Sequence, residues 1–206
     1  MVKADQELSI VKAEAASAAG AKLNLFALGD FAQLLAGSTN RDTIHKTFEW
    51  LWRGRSNRFS HHHAFEAKRN GRTLGLVTCY PVPLLNRLAW PTLTALLSIR
   101  KLRLIGYHLL HPQDFYSAIT LKEGFKDEFH IGTLATMPES RGLGVGSRLI
   151  VYAEEQAVKH GFSKSSLTVK KDNDKALQLY ERMGYRITGE VNKPSIGLYR
   201  MAKRLL

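Results

Sequence analysis

Three glycines fall within the six residues Arg141-Gly142-Leu143-Gly144-Val145-Gly146, between an apolar stretch and an amphipathic one. Such a loop turns tightly and brings backbone N–H groups close to a ligand, while the following helix aims the positive end of its dipole at the same point. The chemistry this favours is the holding of a phosphate or pyrophosphate. A tight strand-to-helix turn with no ligand would use the same glycines, so the loop alone leaves both readings open. A dinucleotide fingerprint would set Gly-x-Gly-x-x-Gly near the first strand, with an acid about 20 residues on; here the loop lies late in the chain. Two further residues can move protons. His130 has an ordinary pKa of about 6.5, suited to a general base, and Glu128 lies two residues earlier on the same side of an extended strand.

Two other reactive types point elsewhere. The single cysteine, Cys79, sits in an apolar, strand-like run and reads as a small core residue rather than a nucleophile. His61-His62-His63 invites a metal reading. Adjacent residues on a strand alternate sides, however, and no cysteine or carboxylate cluster stands nearby, so the triplet is expected to form a strand entry near the substrate groove, with no metal.

The elements that must position these residues fall into two zones. Early in the chain, residues 8–13 can start a strand and 23–35 read as helical. Residues 42–52 form a helix with Ile44, Phe48, Leu51 and Trp52 on one face. Asn70-Gly71 between the strand-like runs 64–67 and 73–80 signals a hairpin. Residues 84–110 are apolar with interspersed bases and interrupted by prolines nearby. Their uncharged part, 88–99, is well short of the roughly 20 residues of a spanning helix, so a buried or lid-forming helical pair is expected, with an interfacial amphipathic helix as the alternative.

From residue 128 the pattern is regular. Residues 129–136 form a strand, 146–160 a helix ended by Gly161, and 166–169 a second strand, giving a parallel βαβ unit. A helix at 176–183, capped from Asp172, Asn173 or Asp174 and ended by Gly184, precedes strands at 185–189 and 196–201.

At 206 residues and 44% apolar content the chain can fill one core, and one domain is expected. The first 22 residues lack the basic start and apolar run of a secretory signal, which points to the cytoplasm. The net charge of +12 is uneven: residues 51–112 carry ten bases (Arg53, Arg55, Arg58, Lys68, Arg69, Arg72, Arg87, Arg100, Lys101, Arg103) against Glu66 alone. That surface could attract nucleic acid, an anionic membrane or an anionic cofactor, or be only a solvated face.

Taken together, these residues resemble the GNAT superfamily of N-acetyltransferases. The likeness rests on Leu134-Ala135-Thr136 on a strand, on Arg141 to Gly146 in the pattern Arg/Gln-x-x-Gly-x-Gly/Ala, and on Asn173, Ala176, Tyr180, Gly184 and Tyr185 in the pattern Asn-x-x-Ala-x-x-x-Tyr-x-x-x-Gly-Tyr. It covers about residues 128–190, which would be the coenzyme A-binding region of a single domain spanning 1–206. The resemblance implies a mixed α/β fold, with a central mixed twisted sheet of about six to seven strands flanked by helices and a helical insertion around 82–120. It further implies that the amides of Arg141, Gly142, Leu143, Gly144, Val145 and Gly146 bind the pyrophosphate of acetyl coenzyme A. Arg141 would contact it directly or nearly so, with Ser147 or Arg148 as further contacts. Leu134, Ala135 and Thr136 would pair with the pantetheine arm where the strand splays from its parallel neighbour, and Asn173 would bond the same arm or simply cap its helix. His130 matches the family's general-base position, with Glu128 able to share or replace it, unless His130 is only a packed strand histidine. Tyr180 matches the position that protonates or hydrogen-bonds the departing thiolate, unless it is only an apolar helix position beside Leu177.

The expected activity is acetyl transfer from acetyl coenzyme A to a primary amine of a small molecule, amino acid or peptide N-terminus, by direct attack in a ternary complex. No metal, membrane span or nucleic-acid partner is expected, and a homodimer is left open. The basic rim suggests acceptors with a carboxylate. The alternative is a non-catalytic acyl coenzyme A or nucleic-acid binding module on the same fold.

Overall fold

The computed structural model describes residues 7–205. Residues 1–6, part of the segment read above for a secretory signal, lie outside the described residues. Seven strands form one sheet in the order β1-β2-β3-β4-β5-β7-β6. These are β1 (Ser9–Lys12), β2 (Ala64–Arg69), β3 (Arg72–Pro81), β4 (Phe129–Thr136), β5 (Lys164–Lys170), β6 (Arg186–Lys193) and β7 (Ile196–Arg204). All neighbours are antiparallel except β4 and β5. The β2–β3 hairpin closes through Asn70 (φ 52°) and Gly71 (φ 73°), the left-handed pair that a tight two-residue turn requires.

The helices are α1 (Ala18–Leu28), α2 (Phe31–Ala36), α3 (Arg41–Arg53), α4 (Val82–Arg100), α5 (Leu102–Leu110), α6 (Pro112–Ile119), α7 (Val145–Lys159) and α8 (Asp174–Arg182). Ser17, Asn40 and Asn173 cap α1, α3 and α8 by accepting backbone N–H bonds from Gly20, Thr43 and Ala176. The single helix expected at 23–35 is two, because Gly29 (φ 53°) ends α1 and the chain restarts at Phe31. His61–His63 is a 3-10 turn capped by the Ser60 hydroxyl, not the start of a strand, and β2 begins only at Ala64. The helical pair expected at 84–110 is α4 and α5, and α6 completes the helical insertion around 82–120.

One core lies between α7 and the sheet, where Val145, Leu149, Ile150, Ala153 and Ala157 meet Val77, Phe129, Ile131 and Leu167. A second core joins α2 and α3 to α4 and α5 through Ala32, Phe48, Leu51, Leu96 and Leu104. The 82–120 helices are therefore anchored to the N-terminal helices. Trp52 of α3, with Leu23 of α1 and Leu76 of β3, makes a third cluster.

Candidate active site

The strand pair that could open a site is β4 and β5. They pair only at Phe129 with Ser165, His130 with Ser166, and Ile131 with Leu167; beyond Ile131 the strands part. On its other edge β4 stays paired with β3 but bulges there, with Thr78 opposite Thr133 and Cys79 opposite Ile131, so Gly132 is the extra residue. Only glycine fits: a Cβ at Gly132 would stand 2.2 Å from the Tyr80 hydroxyl oxygen. The bulge is pinned by the Thr133 N–H donating to the Thr78 Oγ1 at 2.8 Å. The backbone edge of residues 132–136 that faces the gap is thus left without a strand partner among the described residues.

A cavity of about 670 Å³ opens at this gap. Gly132, Thr133, Leu134, Thr168 and Tyr180 line its inner part. Asn173 and Ala176 of the α8 N-terminal turn also line it, and the Asn173 Oδ1 accepts the capping N–H while its Nδ2 bonds to no described residue. Tyr180 is buried and its hydroxyl bonds to no described residue; burial pushes its pKa up to about 12, so it stays protonated at neutral pH.

The glycine loop lies outside this cavity's lining. Gly142 (φ 79°) and Gly144 (φ 71°) are left-handed, and Gly144 starts α7 with no side-chain cap. The first-turn amides of Val145, Gly146 and Ser147 have no intrahelical acceptor and point out of the helix end. Arg141, Leu143 and Arg148 are exposed beside them. An anion can be held there by N–H groups and dipole together.

The two base candidates are set back from the cavity. His130 is fully buried, with Nδ1 3.2 Å from the Ser166 hydroxyl and Nε2 unpartnered, its ring stacked near Tyr80. Burial pulls its pKa down to about 4, opposed by Glu123 and reinforced by Arg58 and Arg200. Glu128 is buried and accepts the Phe125 N–H at 2.9 Å. Neither lines the cavity; Glu123 does.

Glu123 and Arg58 form an ion pair at 2.6 Å with side chains 10% and 17% exposed. Burial alone would lower the Arg58 pKa, but Glu123 and Tyr80 more than offset it, and the guanidinium is held charged. The sequence marks neither residue. They lie 65 positions apart in the chain, and only the fold brings them together. Of the ten bases in residues 51–112, Arg58 alone reaches the cavity.

The other charges on the wall are also mostly paired. Lys170 pairs with Asp30 at 3.2 Å and Lys171 with Glu190. Asp114 of α6 has no cationic partner among the described residues; it accepts hydrogen bonds from the Tyr107 hydroxyl at 3.4 Å and from Ser195 of the β6–β7 turn. No three His, Cys, Asp or Glu side chains among the described residues converge on a metal-sized site.

The buried imidazole has a consequence for stability. Unfolded, His130 binds a proton below about pH 6.5; folded, it resists protonation until about pH 4. The unfolded state therefore binds more protons in that window, and stability present above pH 6.5 is lost as pH falls toward 4, by on the order of 3 kcal/mol from this residue. His63, half-buried and also lowered to about 4, acts in the same direction. Thermal midpoints measured from pH 7 to pH 4.5 should fall, and His130→Gln should flatten that slope. An unchanged slope in the variant would show the imidazole to be solvated.

A sheet whose one parallel pair parts beside a glycine-led helix defines a scaffold for acyl transfer. The model of the Acetyltransferase (GNAT) family matches residues 30–185, and the chain belongs to that family and is an acyltransferase. Solved structures share its fold. An N-acetyltransferase from Staphylococcus aureus Mu50 superposes with a TM-score of 0.69 at 21% identity, covering 95% of this chain and 100% of that one. A further acetyltransferase crystal structure gives 0.68 at 19%, covering 96% and 100%. Arabidopsis thaliana Naa50, in complex with the bisubstrate analogue CoA-Ac-MVNAL, gives 0.52 at 15%, covering 95% and 97%.

Proposed function

We propose that the chain, as one catalytic domain, transfers acetyl from acetyl coenzyme A to a primary amine by direct attack within a ternary complex. The observation that carries this reading is the gap between β4 and β5, with an unpartnered strand edge along one side and Tyr180, whose hydroxyl bonds to no described residue, lining the cavity within it. The residues fit the co-substrate. The edge at Leu134, Ala135 and Thr136 can pair with the amides of a pantetheine arm. The amides of Gly142, Gly144, Val145, Gly146 and Ser147, with the Arg141 side chain, can hold a pyrophosphate, whereas the Arg141 and Leu143 N–H groups already donate to Pro138 and Ser140. Asn173 can donate from Nδ2 to the arm while its Oδ1 keeps the cap. Bound there, acetyl coenzyme A supplies an activated thioester.

The chain's own contribution is first positional, setting amine and thioester in one cavity. The amine nitrogen attacks the thioester carbonyl carbon, the C–S bond breaks, and the amine's proton must leave. Of His130, Glu128 and Glu123, Glu123 alone lines the cavity, so it takes the proton first, with His130 close enough to feel its charge. Magnitudes limit what Tyr180 does. A phenol at about 12 facing a thiol of about 8.5 would transfer its proton uphill by roughly 5 kcal/mol, so Tyr180 serves as a hydrogen-bond donor to the developing thiolate.

For the acceptor, the paired bases leave Asp114 and Asp172 as the lining charges with no ion-pair partner among the described residues, and Asp114, on the insertion, favours amines carrying a second cationic or donor group. The Naa50 neighbour holds a peptide analogue, and a peptide with a basic residue would fit this description. Thiol release should be fastest with diamines and basic peptides in an amine panel. Asp114→Asn should raise KM about tenfold with kcat little changed, the mark of lost ground-state binding. Equal KM in both proteins, or preference for acceptors carrying a carboxylate, would overturn this assignment.

A further inference from the structure

Helix α5 is built inside out. Of its nine residues, Leu104, Tyr107 and His108 face the protein, and Leu104 is buried. The outward arc carries Leu102 (79% exposed), Ile105 (47%), Leu109 (76%) and Leu110 (81%). Leu102, Ile105 and Leu109 stand at helical spacing on one stripe, where an ordinary surface helix would place charge. The helix is aimed by Lys101, whose φ of 50° is a left-handed turn that a non-glycine residue adopts only when held. Lys101 and Arg103 are exposed at the start of this stripe, and Arg87 is exposed on α4. The only acid in residues 82–119, Asp114, is engaged by Tyr107 and Ser195 at the cavity.

We propose that the outer face of α5 docks on an anionic lipid surface, its leucines entering the headgroup boundary while Lys101 and Arg103 meet lipid phosphates. The charge decides among occupants. A second copy facing α5 across a two-fold axis would bring Lys101 and Arg103 of both chains together, with no acid on α5 of either to meet them. An aliphatic stripe edged by bases, on a chain of net charge +12, matches the interfacial mode of binding instead. No helix of the described residues is long and apolar enough to cross a membrane, so the contact is peripheral. It also lies on the insertion that carries Asp114, which would set the acceptor side of the cavity near the lipid surface.

The test is co-flotation of the full chain with vesicles of phosphatidylcholine alone or mixed with phosphatidylglycerol, at low and high salt. Binding to the anionic vesicles at low salt is expected, with little to neutral ones. Leu102→Asp with Leu109→Asp should weaken it by about tenfold or more, and Arg103→Glu less, with the thermal midpoint unchanged because these side chains are exposed. Leu109→Cys carrying an environment-sensitive dye gives a second readout independent of the double variant. Cys79 is buried and does not compete for the label, and the emission should shift to the blue on anionic vesicles. Wild-type protein that fails to float, binding that survives the double variant, or a dye that does not respond would overturn the proposal. So would a dimer that the double variant dissociates, which would assign the face to a second copy.

Discussion

Tyr180→Phe is expected to lower kcat about 10- to 100-fold while leaving acetyl coenzyme A binding and the thermal midpoint unchanged. The hydroxyl bonds to no described residue, so its removal breaks nothing in the folded chain, and the ring stays packed against Tyr185 at 6.2 Å between centroids. What is lost is one hydrogen bond to a developing thiolate, and bonds to charged partners are worth about 1.5–3 kcal/mol. Because the bond strengthens as the C–S bond breaks, the loss should fall on kcat and kcat/KM alike. Steady-state kinetics with thiol detection checks it. Turnover within twofold of wild type would reduce Tyr180 to an apolar position of α8.

Arg58→Met should be the most damaging single change to stability, costing about 3–5 kcal/mol. It leaves the Glu123 carboxylate nearly buried on the cavity wall with no ion-pair partner among the described residues. For a chain of this size that is roughly a 10 °C fall in Tm. Adding Glu123→Gln should restore much of the loss, because the expense lies in the orphaned charge rather than in the absence of the pair. Denaturant unfolding of the three variants decides the matter. A cost under about 1 kcal/mol for Arg58→Met would mean that the pair is open to water.

What could be read from the chain follows from which signals are local. Asn70-Gly71 specifies its own turn, and the 141–146 glycines specify a loop before a helix, so the hairpin and the α7 start are legible without the fold. Gly29 was a visible break in residues 23–35, but alanine and leucine on both sides carry helical periodicity through it. The His61–His63 turn depends on Ser60 capping, a signal too short to compete with the strand pattern that follows. Gly132 isolated within a strand pattern is a recognised mark of a bulge and could have been read as one.

The acceptor side was not legible, because no local pattern joins its parts. Arg58 follows α3, Asp114 lies on α6, Glu123 is in the loop before β4, and Ser195 is in the β6–β7 turn. The basic bias of residues 51–112 suggested a rim for carboxylates, yet nine of those ten bases do not line the cavity and the tenth is paired. Composition reports charge but not where it points. Periodicity fails in the same way for α5, where both faces are apolar and nothing in the pattern tells inside from outside.

The claim on which the rest stands is that the β4–β5 gap holds the thioester beside Tyr180. A crystal structure of the chain with acetyl coenzyme A measures it directly. The expected result has the pantetheine arm along residues 132–136, the pyrophosphate on the free amides of Gly142 and residues 144–147, and the sulfur within hydrogen-bonding distance of the Tyr180 hydroxyl. A coenzyme seated elsewhere, or a sulfur out of reach of that hydroxyl, would contradict it.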